Sequence, residues 1–258
     1  MEILDNASQP QAVVHGRHHT RRISLTRAWM AFASLVFASA ICVALVLMRQ
    51  LFVGYASYAF LFWNLTLAWI PLVFSFITYR YHALDKPKRL QFFLCAFAWF
   101  VFFPNAPYMV TDFVHISPIH IAPEWLDVIT VIACAWTGLC LGYLSLYLMQ
   151  EIARERFGRL ASWVFVLAML ALGSIGVFCG RFLRWNSWDV LSHPVWMLHT
   201  AHPIHRFSQP GDMIFLTTLF LFLLLSYCAL FALTHLYDRP DHHGLHEAPR
   251  EPGQETIA

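Results

Sequence analysis

Asp112 and His115 stand three residues apart in FFPNAPYMVTDFVH, Phe102 to His115, where Asn105, Tyr108 and Thr111 add an amide, a phenol and a hydroxyl. A carboxylate and an imidazole can give or take a proton, and neutral polar groups can orient a ligand for that step. A second stretch, GRFLRWNSWDVL from Gly180 to Leu191, carries Arg181 and Arg184 and then Asn186, Ser187, Trp188 and Asp189. Guanidinium groups hold anionic oxygens through paired hydrogen bonds. On a helix that continued through this point, arginines three apart would share a face. A third stretch, NLTLAWIP, sets Asn64 in an otherwise apolar run, where an amide needs an interhelical partner or water. Glu124 and Asp127 open another apolar run. Acid is favourable at a helix N-terminus, so capping is the expected role of Glu124, while Asp127 joins the candidate polar set.

The elements that must position these groups follow from composition. Of 258 residues 59% are apolar and 12% charged, a balance foreign to soluble domains. Several runs exceed the roughly 18 apolar residues that carry a helix across a bilayer. The expectation is an all-α polytopic transmembrane helical bundle of about six spans, with the bilayer as its partner. The spans are Ala28 to Met48, Ser57 to Tyr79, one from Leu90, Trp125 to Met149, Leu160 to Leu183, and Met213 to Leu236. Residues 28–236 form a single domain between mobile tails at 1–27 and 237–258. Ala38-Ser39-Ala40 imitates a signal-peptidase site, but the apolar run continues to Met48, which predicts an uncleaved anchor.

The third span carries the main structural expectation. Leu90 to Phe103 is fourteen residues, reaching about 21 Å, short of the hydrocarbon thickness. Pro104 and Pro107 then remove two backbone donors, and the residues before them, Phe103 and Ala106, are pushed toward extended geometry. The span is therefore broken at Pro104–Pro107. Irregular backbone at that depth is tolerated where it is buried in protein or lines a wet cavity, and unwound segments build substrate sites in some bundles.

Charge orients the bundle. Thirteen of the seventeen Lys and Arg precede the first span, follow the second and fourth, or lie in the C-terminal tail, against Arg49, Arg181, Arg184 and Arg206 on the other side. The positive-inside rule then puts both termini in the cytoplasm and the three polar stretches outside, as expected of a multi-pass protein of a bacterial inner membrane.

Other chemistry is set aside. Cys42, Cys95, Cys134, Cys140, Cys179 and Cys228 all fall in apolar runs without C-x-x-C spacing, as small hydrophobes. His199, His202 and His205 have suggestive spacing, but Pro203 interrupts a regular helix through them, and no metal site is assigned. No Walker loop, dinucleotide fingerprint, G-x-S-x-G elbow or H-E-x-x-H occurs, no cofactor is named, and the net charge of +2 shows no nucleic-acid patch. Gly138 with Gly142 and Gly176 with Gly180 permit close helix approach, at depths expected to differ.

Together FFPNAPYMVTDFVH, GRFLRWNSWDVL and NLTLAWIP resemble a bacterial integral membrane family catalogued as a domain of unknown function, which carries P-N-A-P-Y with T-D shortly after, and G-R followed by R-W-N-S-W-D. The resemblance covers roughly Phe60 to Asp212. It implies a polytopic bundle and marks Asn105, Pro107, Tyr108, Thr111, Asp112, Arg181, Arg184, Asn186, Ser187, Trp188 and Asp189 as motif positions; no reaction travels with it.

Three function classes follow. In the first, Asp112, Asp189, Arg181, Arg184 and His115 form an outward-facing site that binds an amphiphilic or anionic envelope substrate, the arginines holding its head. A carboxylate or imidazole there would serve as acid or base if the substrate is also transformed. The second is a transporter using the broken third span, and the third is a non-catalytic assembly or scaffold protein whose polar groups form a locked network. Whether the protein is an enzyme stays open at this stage.

Overall fold

The computed structural model describes residues 25–53, 58–83, 88–116, 123–192, 195 and 210–236. The histidine triplet and the expected tails lie outside these residues, except that 25–27, expected in the N-terminal tail, form the start of the first helix. The elements are α1 (Leu25–Val53), α2 (Ala59–His82), α3 (Arg89–Phe102), a single turn α4 (Asn105–Tyr108), a 3₁₀ helix (Met109–His115), α5 (Glu124–Phe182), a turn α6 (Asp189–Ser192) and α7 (Pro210–Leu236). The protein is an all-α polytopic bundle with five helices long and apolar enough to cross a bilayer.

α5 runs 59 residues, about 88 Å if straight, nearly three hydrocarbon thicknesses. It is not straight. Gly158 has φ 87° and ψ 176°, a region essentially reserved for glycine. On either side the arms 124–157 and 159–182 reach the same partners. The Trp99 indole donates to Ser145 Oγ of the first arm at 3.2 Å and stacks on Phe165 of the second at 6.0 Å. Residues twenty apart on a straight helix would be about 30 Å apart, so the arms lie side by side and account for the two spans expected there. Arg154 and Arg156, expected in a loop after Met149, lie instead in helix, because the first arm continues to the kink.

The first arm is the axis of the bundle. On one side Cys42 and Val46 of α1, Leu61, Leu65, Ala68 and Leu72 of α2, and Ala106 and Met109 pack against Val131, Cys134, Leu141 and Leu148. On the other, Trp99 and Phe103, Leu170 and Val177 of the second arm, and Leu223 and Tyr227 of α7 pack against Leu139, Tyr143 and Leu146. Polar ties fix the register: Tyr227 donates to Gln150 Oε1 at 2.5 Å and Trp69 to Ser39 Oγ at 3.1 Å. Outward, Trp63, Phe93, Phe97, Ile132 and Leu225 are exposed, the arrangement of a chain whose solvent is hydrocarbon.

The third span breaks at Phe103-Pro104, as its length requires. The backbone does not become extended, however: Phe103 (φ −52°, ψ −41°) and Pro104 (φ −62°, ψ −19°) keep right-handed helical angles. Pro104 offers no N–H to the Phe100 carbonyl, and the chain tightens instead of opening. Ala106 N–H bonds the Phe103 carbonyl at 3.2 Å and Tyr108 N–H the Pro104 carbonyl at 3.0 Å, after which seven residues continue as 3₁₀ helix. Tightening keeps carbonyls bonded where an extended strand would have left them bare in hydrocarbon.

Glycines make room for this compact break. A Cβ at Gly176 would lie 2.5 Å from Pro104 Cγ, and one at Gly142 2.8 Å from Ala106 Cβ. Gly138 in the first arm and Gly173 and Gly180 in the second likewise face Met109, Phe103 and Tyr108. The glycine pairs, expected at different depths, thus hold one segment from two sides. The depth assignment failed because the first arm is longer than its apolar run suggested.

Candidate functional site

The break and the end of α5 meet at one end of the bundle, here called the motif end; Gly158 marks the other. A 3₁₀ helix has three residues per turn, which puts Asp112 and His115 on one edge and Tyr108 and Thr111 on the next. Arg181, on the last turn of α5, lies across both edges. Its Nη2 donates to the Thr111 carbonyl at 3.0 Å, and its Nη1 to the Tyr108 hydroxyl at 3.3 Å and to His115 Nε2 at 3.0 Å. Arginine has no acceptor, so Nε2 accepts and the imidazole proton sits on Nδ1. The guanidinium carbon is 5.7 Å from the Tyr108 ring centroid, within cation–π range.

Asp112 sits beneath this array, 1% exposed. Its Oδ2 accepts from Asn64 Nδ2 at 2.8 Å, which gives the lone amide of α2 the interhelical partner it needs. Its Oδ1 is 3.6 Å from Arg181 Nη1, close enough for ionic attraction and too long for a hydrogen bond, and has no hydrogen-bond partner. His115 at the rim is exposed, stacks edge-on against Phe60 at 4.9 Å and offers its backbone carbonyl to the Tyr58 hydroxyl at 3.3 Å.

The other candidates are placed differently. Asn105 Nδ2 donates to Ser187 Oγ at 2.9 Å, tying the break to the chain beyond α5, and Trp188 meets Trp63 edge-on at 6.1 Å. Asp189 Oδ2 accepts from the Asn186 backbone N–H at 2.8 Å and its amide at 3.2 Å, so this carboxylate closes its own turn. Arg184 does not share a helical face with Arg181. The helix ends at Phe182, and Arg184, exposed, has φ 58°, while Trp185 N–H returns to the Cys179 carbonyl at 3.3 Å. The left-handed residue that stops the helix also turns this side chain away from the continuing spiral.

Asp127 belongs to a second centre with a residue the sequence reading left among loop charges. Arg49 Nε donates to Asp127 Oδ1 at 2.7 Å and Nη2 to Oδ2 at 3.3 Å, both side chains buried, with Tyr58 under the guanidinium at 3.8 Å. Tyr58 therefore touches both centres. The missed signal was available: an arginine closing an apolar run has a reason to find an acid on a neighbouring span. Among the described residues no group of three or more His, Cys, Asp and Glu could hold a metal ion. Several buried hydroxyls bond their own helix, including Ser75 to Leu72, Thr137 to Ala133 and Ser174 to Leu170 at 2.8 to 3.0 Å.

A bundle of apolar spans with a polar cluster recessed at one end defines the class: a multi-pass helical membrane protein. Within that class the chain belongs to the family described as protein of unknown function (DUF1361), whose model matches residues 63–227. That interval holds Asn64, the break and all of α5, and leaves out Arg49 and α1. Neither a curated protein nor a solved structure matches the chain.

Proposed function

We propose that this protein binds the polar head of an amphiphilic or anionic envelope molecule at the motif end, with Arg181 and Asp112 as the recognising pair and His115 Nδ1–H as the donor at the rim. The charge distribution argues that this end faces outward. One observation carries the reading: Asp112 Oδ1 is buried and without a hydrogen bond, in a neighbourhood where Asn64, Tyr108, Thr111 and Arg181 are all bonded. An unsatisfied buried acceptor costs free energy, and a donor entering past His115 would recover it. The guanidinium beside it would hold an anionic oxygen of the same head group.

A second reading has its own support. Arg181 already donates to three groups of this chain, which is how a locked structural network is built. The two readings separate in one experiment on wild type, Asp112→Asn, Arg181→Gln and the double variant. Thermal unfolding and co-purifying amphiphiles, identified by mass spectrometry, would be measured on each. Binding requires that Asp112→Asn keep its yield and unfolding temperature while losing the bound molecule. Lost stability with an unchanged amphiphile profile would sink that reading in favour of the network.

A further inference from the structure

At the Gly158 end a cavity of about 290 Å³ is lined by Tyr81 and His82 from α2, Arg89, Phe92 and Phe93 from the first turn of α3, and Arg156 from the first arm of α5. Its acidic neighbours are already paired: Glu155 Oε2 meets His82 Nε2 at the cavity wall at 2.9 Å, and Glu151 pairs with Arg154. Arg156 lies over the Phe92 ring at 5.0 Å. Among the described residues no carboxylate lines the cavity, and its two arginines are exposed.

The backbone adds to the same field. α3 begins at Arg89 with Lys88 at its cap position; no cap side-chain bond forms and its first turn holds no acid. A helix N-terminus concentrates unsatisfied N–H groups and a partial positive charge, which acid normally balances. Here Lys88, Arg89 and Arg156 lie around it, a combination that favours an anion. The walls decide what kind. Phe92 and Phe93 close one side, and Phe93 is 62% exposed on the face of the bundle that meets hydrocarbon. A fully hydrated anion gains nothing from such a wall, whereas a phosphate carried on acyl chains does.

We infer that this cavity is a binding site for the phosphate head group of an anionic phospholipid, Arg89 and Arg156 holding the phosphate oxygens at the N-terminus of α3 and Phe93 meeting the acyl chains. The site is distinct from the motif end and does not rest on the function proposed there. A phosphate group could also come from solution, so the test carries both sources. Full-length protein in a neutral detergent would be titrated with short-chain phosphatidylglycerol, with phosphatidylcholine, and with inorganic phosphate, reading the rise in unfolding temperature and the lipid retained in native mass spectrometry.

Phosphatidylglycerol is expected to stabilise and to be retained, the other two not. An arginine near a membrane surface is worth about fivefold in affinity for anionic lipid, so Arg89→Gln/Arg156→Gln should weaken binding about thirtyfold. Arg159→Gln, a neighbouring exposed arginine outside the cavity lining, should leave it within about twofold. Phe93→Glu, at an exposed position, supplies a second disruption should the double variant fail to fold, and should also weaken binding at least tenfold. Equal loss in Arg159→Gln would reduce the site to bulk charge and overturn the proposal. So would unchanged binding in either cavity variant, or stabilisation by inorganic phosphate equal to that by lipid.

Discussion

Among the described residues two arginine–aspartate pairs lie at the same end of the bundle, and they are built differently. Arg49 and Asp127 meet through two hydrogen bonds, with a tyrosine ring over the guanidinium. Arg181 and Asp112 stop at 3.6 Å, the guanidinium spread over three other acceptors and one carboxylate oxygen bare. The first joins α1 to the central arm and uses both carboxylate oxygens. The second joins the break to the end of α5 and leaves an acceptor unused. Burial alone therefore does not separate a fastening from a site; the completeness of the hydrogen bonding does.

The largest effect that could break this comparison is expected at the closed pair. Removing one partner of a buried ion pair strands the other, so Arg49→Gln should cost about 3 to 5 kcal/mol, measured by denaturant unfolding in mixed micelles. Arg181→Gln should cost less than half of that. Equal costs would erase the distinction. Next comes the seat of the break: Gly176→Ala drives a methyl into the rigid Pro104 ring and should cost about 1 to 3 kcal/mol. Gly138→Ala meets the Met109 thioether at 2.6 Å and the Ala106 carbonyl oxygen at 3.1 Å; because the nearer atom is on a flexible side chain, it should cost less. The same ranking should appear in amide exchange of residues 105–115, while α1 stays unaffected. The smallest effect is at Asn64→Ala, which takes away the one hydrogen bond to Asp112 Oδ2. About 1 kcal/mol is expected, in line with interhelical polar contacts in other bundles. A cost as large as that of Arg49→Gln would show that Asp112 is as tightly fastened as Asp127.

How much of this was legible before any coordinates depended on whether the physics is local. The break at Phe103-Pro104 could be read because fourteen residues are too few to cross and proline lacks a donor. Its form could not: whether a chain deprived of one bond opens or tightens depends on what packs around it, and here glycines from two arms leave room only for a tight turn. Asp112 and Arg181 could be matched because each stands just past an apolar run on the same expected side. Arg49 and Asp127, separated by 78 positions, obey the same rule, yet each had a plausible local role as loop charge or cap that concealed the pairing. The shared face of Arg181 and Arg184 depended on the helix continuing past its expected end at Leu183; it stops at Phe182, and the left-handed Arg184 removes the condition.

The hairpin at Gly158 has a consequence for how the chain is threaded into its membrane. Gly158 reverses the chain inside the charged stretch from Glu151 to Arg159, which is itself helical, so the charges that separate the two crossings sit on the arms and not on a loop between them. Arms joined by so tight a reversal cross as an antiparallel pair, and a pair leaves the parity of crossings unchanged. Among the described residues α1, α2, the broken third span, the two arms and α7 make six crossings, an even number.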